Sequence, residues 1–308
     1  MDKPVVTMDH YINIAPDHRG RTAREWWDLY HEATTSGNSA YSLSGTLSVS
    51  KKALLNWRAG KAAPDVVNDV RDLAHLFPVT IRDLATTLRP LNRLAMYSLL
   101  SGHISANNKA TFNTRNGDEV RYVRAQLRGL NDALALGKRI PHHLHTTTAP
   151  NKTTNILLGR GGKHVVRFMK IVGIPAGAKV GQPVHFPWYL VETARLMQRG
   201  RLKGDDLAHA QTLLSDAIEV AQFVSSHRDP KTRVDRVTLR LPYLRKKSHA
   251  EALGSEAALV SRALGILGAR ERPNPRGYTL HRQGGPRAKK PGPFSYSSSL
   301  WVDRLSGK

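Results

Sequence analysis

Three short stretches of this chain gather residue types that could do chemistry. Pro141-His142-His143-Leu144-His145 brings together three imidazoles, good ligands for zinc. No carboxylate stands beside them and strand side chains alternate between faces, so phosphate or solvent contact suits the run better than a metal. Leu158-Gly159-Arg160-Gly161-Gly162-Lys163-His164 has the glycines of a phosphate loop but neither its spacing nor its Lys-Ser/Thr ending, and reads as a basic turn before a helix. Asp205 and Asp206 form an acid pair after Gly204, placed to favour the N-terminal dipole of the helix that follows. The chain has no cysteine, which excludes a thiol nucleophile, a disulfide framework and Cys-ligated zinc. What it has in quantity is positive charge: 47 Lys+Arg against 24 Asp+Glu in 308 residues, a formal net charge of +23. Each Lys or Arg set against a phosphate releases counterions, so a nucleic acid is the expected partner. The basic residues run from Arg19 and Arg21 to Lys289 and Lys290, which argues against a basic tail on an ordinary enzyme. Arg245-Lys246-Lys247 and Arg287, Lys289 and Lys290 are further candidate phosphate contacts.

The elements that must position these charges fall into two regions. In residues 22–36 Trp26, Trp27, Leu29 and Tyr30 read as a helix capped by Thr22. SLSGTL (42–47), a helix from Ser50 to Gly60 with Leu54 and Trp57 on one face, and a helix over 65–77 follow, and these four helices predict a small all-α unit. From about residue 90 the order becomes helix (91–100), strand (109–113), an amphipathic helix with Val120, Val123, Leu127 and Leu130 inward (118–130), β pieces (139–147, 153–157) and a helix (163–172). Helix (206–226), strand (233–244), helix (251–268) and a hairpin formed by 270–272 and 277–283 repeat that order, which suggests a duplicated α+β domain. The expected divisions are an N-terminal arm (1–21), the helical unit (22–88), two repeats (89–200 and 201–283) and an extended or disordered basic Gly/Pro/Ser-rich tail (284–308). No stretch approaches a membrane span or a signal peptide, so a cytoplasmic, nucleoid-associated protein without membrane partners is expected.

Residues 42–77 resemble the helix-turn-helix of phage-repressor-like regulators, with Ser48-Val49-Ser50 at the turn, Trp57 in the core, then Gly60 and Pro64. The resemblance implies a recognition helix in the major groove, with Ser50, Lys51, Lys52, Asn56, Arg58 and Lys61 as candidate contacts. Asn reads adenine and Arg guanine through paired hydrogen bonds, which suits these types.

Residues 90–283 resemble a LAGLIDADG homing-endonuclease domain in tandem form. LLSGHIS (99–105) is similar to the helix-ending acid-Gly-x-x-Ser of that family, and VRFMKIVGIPAGAK…FPWYL (166–190) to its Gly-x-Pro-x-Gly-x-Lys segment and following apolar-Pro-Trp stretch. The resemblance implies a duplicated αββαββα fold behind the helix-turn-helix, with strands lining DNA: Lys109, Thr111, Asn113 and Arg115 from the first repeat, Arg236, Thr238 and Arg240 from the second, with Lys246 and Lys247 nearby. The family's cleavage needs an acid at the foot of each of two helices to hold divalent metal. Here Ser101 and Ala221 stand at those positions, so cleavage is expected to be lost and no cofactor to be required; Asp216 and Glu219 are the fallback acids. The expected function is sequence-specific binding of double-stranded DNA by a monomer, as a transcriptional regulator or homing-endonuclease remnant. The alternatives are an active Mg²⁺-dependent LAGLIDADG endonuclease, and a maturase or ribosome-associated factor that binds structured RNA.

Overall fold

In the computed structural model, which describes residues 1–105, 109–114, 116–134, 142–146, 154–158, 162–177, 179, 182–226, 236–240, 244, 247–265, 270–273 and 298–303, the chain divides into two units. One is Val6–Val79; the other joins Met1–Val5 to Thr80–Lys308.

The strands β1 (Pro4–Val6) and β2 (Val79–Thr80) pair where the chain passes between the units. Between them lie α1 (Met8–Asn13), α2 (Ala23–Thr35), α3 (Ala40–Leu47), α4 (Lys51–Arg58) and α5 (Asp65–Leu73), the last ending in a 3-10 turn at Ala74–Leu76. Hydroxyls start four of these helices: Thr7, Thr22, Ser39 and Ser50 each accept from a backbone N–H of the first turn, and Thr22 forms a full capping box with Glu25. The core joins Leu43, Leu47, Leu54, Val66, Val70 and Leu73 around Trp57, whose ring lies 6.2 Å from Trp26 and 5.7 Å from Tyr30. The segment expected as an arm is folded: Tyr11 and Ile12 of α1 are buried, and Tyr11 packs 5.4 Å from Phe77. Apolar Tyr-Ile in a six-residue helix was too short a signal to stand out from a polar arm.

The other unit continues through α6 (Ile81–Ala85), α7 (Arg89–Ser101), β3 (Gly102–Ile104), β4 (Ala110–Thr114), α8 (Gly117–Leu134), β5 (His142–Thr146), β6 (Thr154–Leu158) and α9 (Lys163–Ile171). After these come α10 (Trp188–Gln198), α11 (Gly204–Ser226), β7 (Arg236–Arg240), α12 (Lys247–Ala263), β8 (Arg270–Pro273) and β9 (Ser298–Asp303). The architecture is therefore mixed, helices with small antiparallel sheets. One sheet has the order β3-β4-β6-β5 and the other β7-β9-β8. The structure moves the expected division at residue 88 to Val79/Thr80, because α6 packs on α11. Strand β8 pairs with β9, Glu271 opposite Leu300; residues 277–283, the expected partner in the second hairpin, lie outside the described residues. Six residues of the supposed tail thus form the central strand of a sheet.

In the four-stranded sheet Ala110, Phe112 and Thr114 of β4 are buried, with the Phe112 ring 6.1 Å from Tyr97 of α7. Helix α8 turns Val123, Leu127, Leu130 and Leu134 inward, and a Cβ added at Gly129 would lie 3.1 Å from Pro90 Cγ. At Gly102 the chain leaves α7 so sharply that a Cβ would meet Ser98 Cα at 2.6 Å, which only glycine tolerates.

Candidate nucleic-acid interface

Helices α3 and α4 are joined by Ser48-Val49-Ser50. Ser48 adopts a left-handed conformation (φ +53°), and the turn is tied down by Ser44 Oγ donating to the Val49 carbonyl at 2.8 Å, while Val49 is buried. Arg21 adds a bond to the carbonyl of Leu47 at 2.8 Å. These contacts fix the angle at which α4 leaves α3. Leu54 and Trp57 anchor one side of α4, so Lys51, Lys52, Leu55 and Ala59 emerge on the other and are exposed, with Asn56 half-buried beside them. Ser50 caps the helix through the N–H of Ala53, and Lys61 is exposed just beyond its end. The Lys51 ammonium stands 5.6 Å from the ring centre of Tyr41.

Arg58 does something other than expected. Its guanidinium donates to the carbonyls of Ala33 (2.7 Å), Ser36 (3.3 Å) and Asn38 (2.5 Å). It therefore ties the end of α2 and the loop before α3 to α4, and is a positioning residue here, not a free hand for a base. Its sequence gave no hint, since a long cation in a candidate recognition helix looks the same in either role.

The strand residues sort by the pleat. Thr111 is half-buried and Asn113 exposed, on the side of β4 opposite Ala110, Phe112 and Thr114; Lys109 just before the strand is also exposed. Register aligns Thr111 with His103 and Leu157, and Asn113 with Asn155. It also divides the histidine run, pairing His142 with Leu158, His143 with Leu157 and His145 with Asn155. Arg236, Thr238 and Arg240 fall in β7 opposite Asp303, Trp301 and Ser299, and Lys247 opens α12. Arg115 and Lys246 lie outside the described residues.

The feet of the two long helices were the expected place for acids. Helices α7 and α11 run side by side in the same direction: Asn92 Nδ2 donates to Leu213 O at 3.1 Å, Arg93 reaches Asp216 at 2.6 Å and Glu219 at 3.5 Å, and the Tyr122 ring sits between Tyr97 (6.1 Å) and Phe223 (4.7 Å). Partners are separated by 121, 123 or 127 residues. The ends of the two helices are Ser101 of α7 and Ser226 of α11, with Ala221 in the last turns of α11. Ala221 itself is buried.

None of these groups suits a divalent cation. Ser101 is buried and its Oγ donates to the carbonyl of Asn113 at 3.0 Å. Lys179, the lysine of the Gly-x-Pro-x-Gly-x-Lys segment, directs its ammonium to the carbonyls of Ser98, Leu99 (2.8 Å) and Gly102 (2.7 Å), where the helix dipole favours a cation. The same segment lies along β3, with Gly177 N–H donating to Ile104 O at 2.7 Å. The fallback acid Asp216 is fully buried and gripped by Arg89 (2.5 and 2.7 Å) and Arg93 (2.6 Å). The bond to Asp216 holds the Arg89 guanidinium above its ordinary pKa, and burial raises that of the neighbouring Tyr122 hydroxyl well above the usual phenol range. Glu219 is 63% exposed and its nearest cation is Arg93. Two guanidiniums already overcompensate the carboxylate of Asp216, so a Mg²⁺ ion would meet net repulsion there. Lys179 and the pairing of Asp216 with Arg89 and Arg93 are what sequence reasoning missed; the lysine was visible only as part of a motif, and nothing local pairs residues over a hundred positions apart.

No protein-family model matches the chain, and no curated protein matches it in sequence. Among the described residues no helix is long and apolar enough to cross a membrane.

Proposed function

We propose that the chain is a sequence-specific, non-cleaving DNA-binding protein, acting as a transcriptional regulator or the remnant of a mobile-element nuclease. The observation that carries this reading is α4, a short helix fixed at a set angle by the Ser48–Ser50 turn, with Lys51 and Lys52 on its exposed side in a chain of net charge +23. A helix so presented suits the major groove, and its lysines suit flanking phosphates. The second unit supports a duplicated αββαββα reading: α7 to α9 follow that element order, and β7-β9-β8 has the order of β3-β4-β6-β5 without its first strand. On that reading Lys109, Thr111 and Asn113, with Arg236, Thr238 and Arg240, lie along the duplex. The bound Asp216 and the buried, hydrogen-bonded Ser101 favour binding over cutting.

The test is selection of bound sequences from a random duplex pool by the full chain, with and without Mg²⁺. Salt-sensitive binding of a defined site without cutting is expected, and Lys51→Glu with Lys52→Glu should lower the slope of log K against log salt by about 2, near 0.9 per phosphate contact. Mg²⁺-dependent double-strand cleavage, or preference for structured RNA over the selected duplex, would overturn the reading.

A further inference from the structure

Met8, Tyr41 and Leu55 are large apolar side chains left exposed, Leu55 at 48% and Tyr41 at 78%. Two of the three belong to the α3–α4 pair, and they share a neighbour. Lys51, one turn before Leu55 on α4, holds its ammonium 5.6 Å from the Tyr41 ring. At 100° per residue Lys51 lies about 40° to one side of Leu55, and Ala59 and Lys52 about 40° and 60° to the other with Asn56 beyond them, all away from the Leu54 and Trp57 side. Arg58, which could have covered it, is turned back to the carbonyls of Ala33, Ser36 and Asn38. The result is a large apolar side chain flanked on both sides by lysines on the exposed face of α4.

A leucine there cannot hydrogen-bond to a base, and the lysines beside it disfavour a second cationic copy of the chain. A polyanion that also presents an apolar group fits both facts. On the floor of the major groove the one apolar group at base edges is the 5-methyl of thymine. We infer that Leu55 is a specificity-determining residue that reads a thymine methyl, with Lys51 and Lys52 placed for the phosphates on either side and Tyr41 flanking the same base step. This rests on the helix-turn-helix reading above and names which base the helix selects.

The probe is the duplex selected by the full chain, remade with deoxyuridine in place of each thymine in turn, which removes the methyl and leaves every hydrogen-bonding edge intact. One or two positions should bind about four-fold more weakly as deoxyuridine, the worth of one buried methyl-sized group. Leu55→Ala should bind the thymine and deoxyuridine duplexes equally, while Leu55→Met, which keeps an apolar side chain of similar volume, should retain part of the preference. Because Leu55 is exposed, both variants should unfold at the temperature of the unsubstituted protein. If specific binding is seen but the thymine preference is absent, or persists undiminished in Leu55→Ala, the assignment of Leu55 fails and the DNA-binding reading stands. If no duplex is selected, both fail. Loss of self-association in Leu55→Ala, seen by sedimentation, would instead mark the face as an interface between copies and overturn the inference.

Discussion

Replacing Asp216 with asparagine separates a structural acid from a catalytic one. The wild-type carboxylate is fully buried and accepts two bonds from Arg89 and one from Arg93, joining the start of α7 to the middle of α11. Removing one side of a sealed ion pair costs about 3–5 kcal/mol, most of it the burden of the orphaned charge. Here the orphans are less confined, since the Arg89 side chain is 43% and that of Arg93 24% exposed, so both can turn toward water. Asparagine also keeps one acceptor oxygen, and the expected cost falls to about 2 kcal/mol. For a unit of this size that lowers the melting temperature by about 4–8 °C. Thermal unfolding followed by circular dichroism measures it, and adding Arg89→Leu should recover part of the loss, as coupling within one cluster requires. Unfolding of Asp216→Asn at the wild-type temperature would refute the argument that α7 and α11 are clamped through this carboxylate. Abolition of a Mg²⁺-dependent nuclease activity with no loss of stability would identify Asp216 as a catalytic acid.

Trp57→Ala should cost about 3–5 kcal/mol, comparable to the whole stability of a helical unit this small, and leave Val6–Val79 unfolded in the near-ultraviolet circular dichroism spectrum. Lys179→Met leaves the last carbonyls of α7 without their cation, and amide exchange over 98–104 should quicken by about tenfold, a local loss of about 1–2 kcal/mol, with Lys179→Arg milder. The Glu25 carboxylate is held below its ordinary value of 4.5 by the N–H and hydroxyl of Thr22. Its contribution is therefore present above pH 4.5 and is lost as pH falls through the lowered value, so Glu25→Gln should flatten the acid side of the stability profile and change little at low pH.

Periodicity carried much of this fold. The stripe of Val123, Leu127 and Leu130 placed α8, the alternation from Lys109 to Asn113 placed β4, and Ser50, Trp57 and Gly60 bracketed α4. What failed was whatever depends on distant partners. Strand β9 follows a long Gly/Pro-rich stretch and has only Leu300, Trp301 and Val302 to announce it. The contacts between α7 and α11 are made by packing and ion pairs across more than a hundred residues, so nothing local announced that Arg89 and Arg93 would hold Asp216. At α4 the difficulty was chemical: base edges are polar, so polar residues were singled out, whereas exposure is what makes Leu55 notable and occupation by carbonyls is what removes Arg58.

The central place of β9 in its sheet has a consequence during synthesis. Among the described residues β7 and β8 both pair with β9, so that pairing waits until residues 298–303 clear the ribosome, which at about 5–20 residues per second comes several seconds after β7 emerges. In that interval the edges that β9 will cover are open to pairing with other nascent chains. Any truncation before Ser298 makes that interval permanent, so a shortened product should accumulate in inclusion bodies or with chaperones even if every residue upstream is intact.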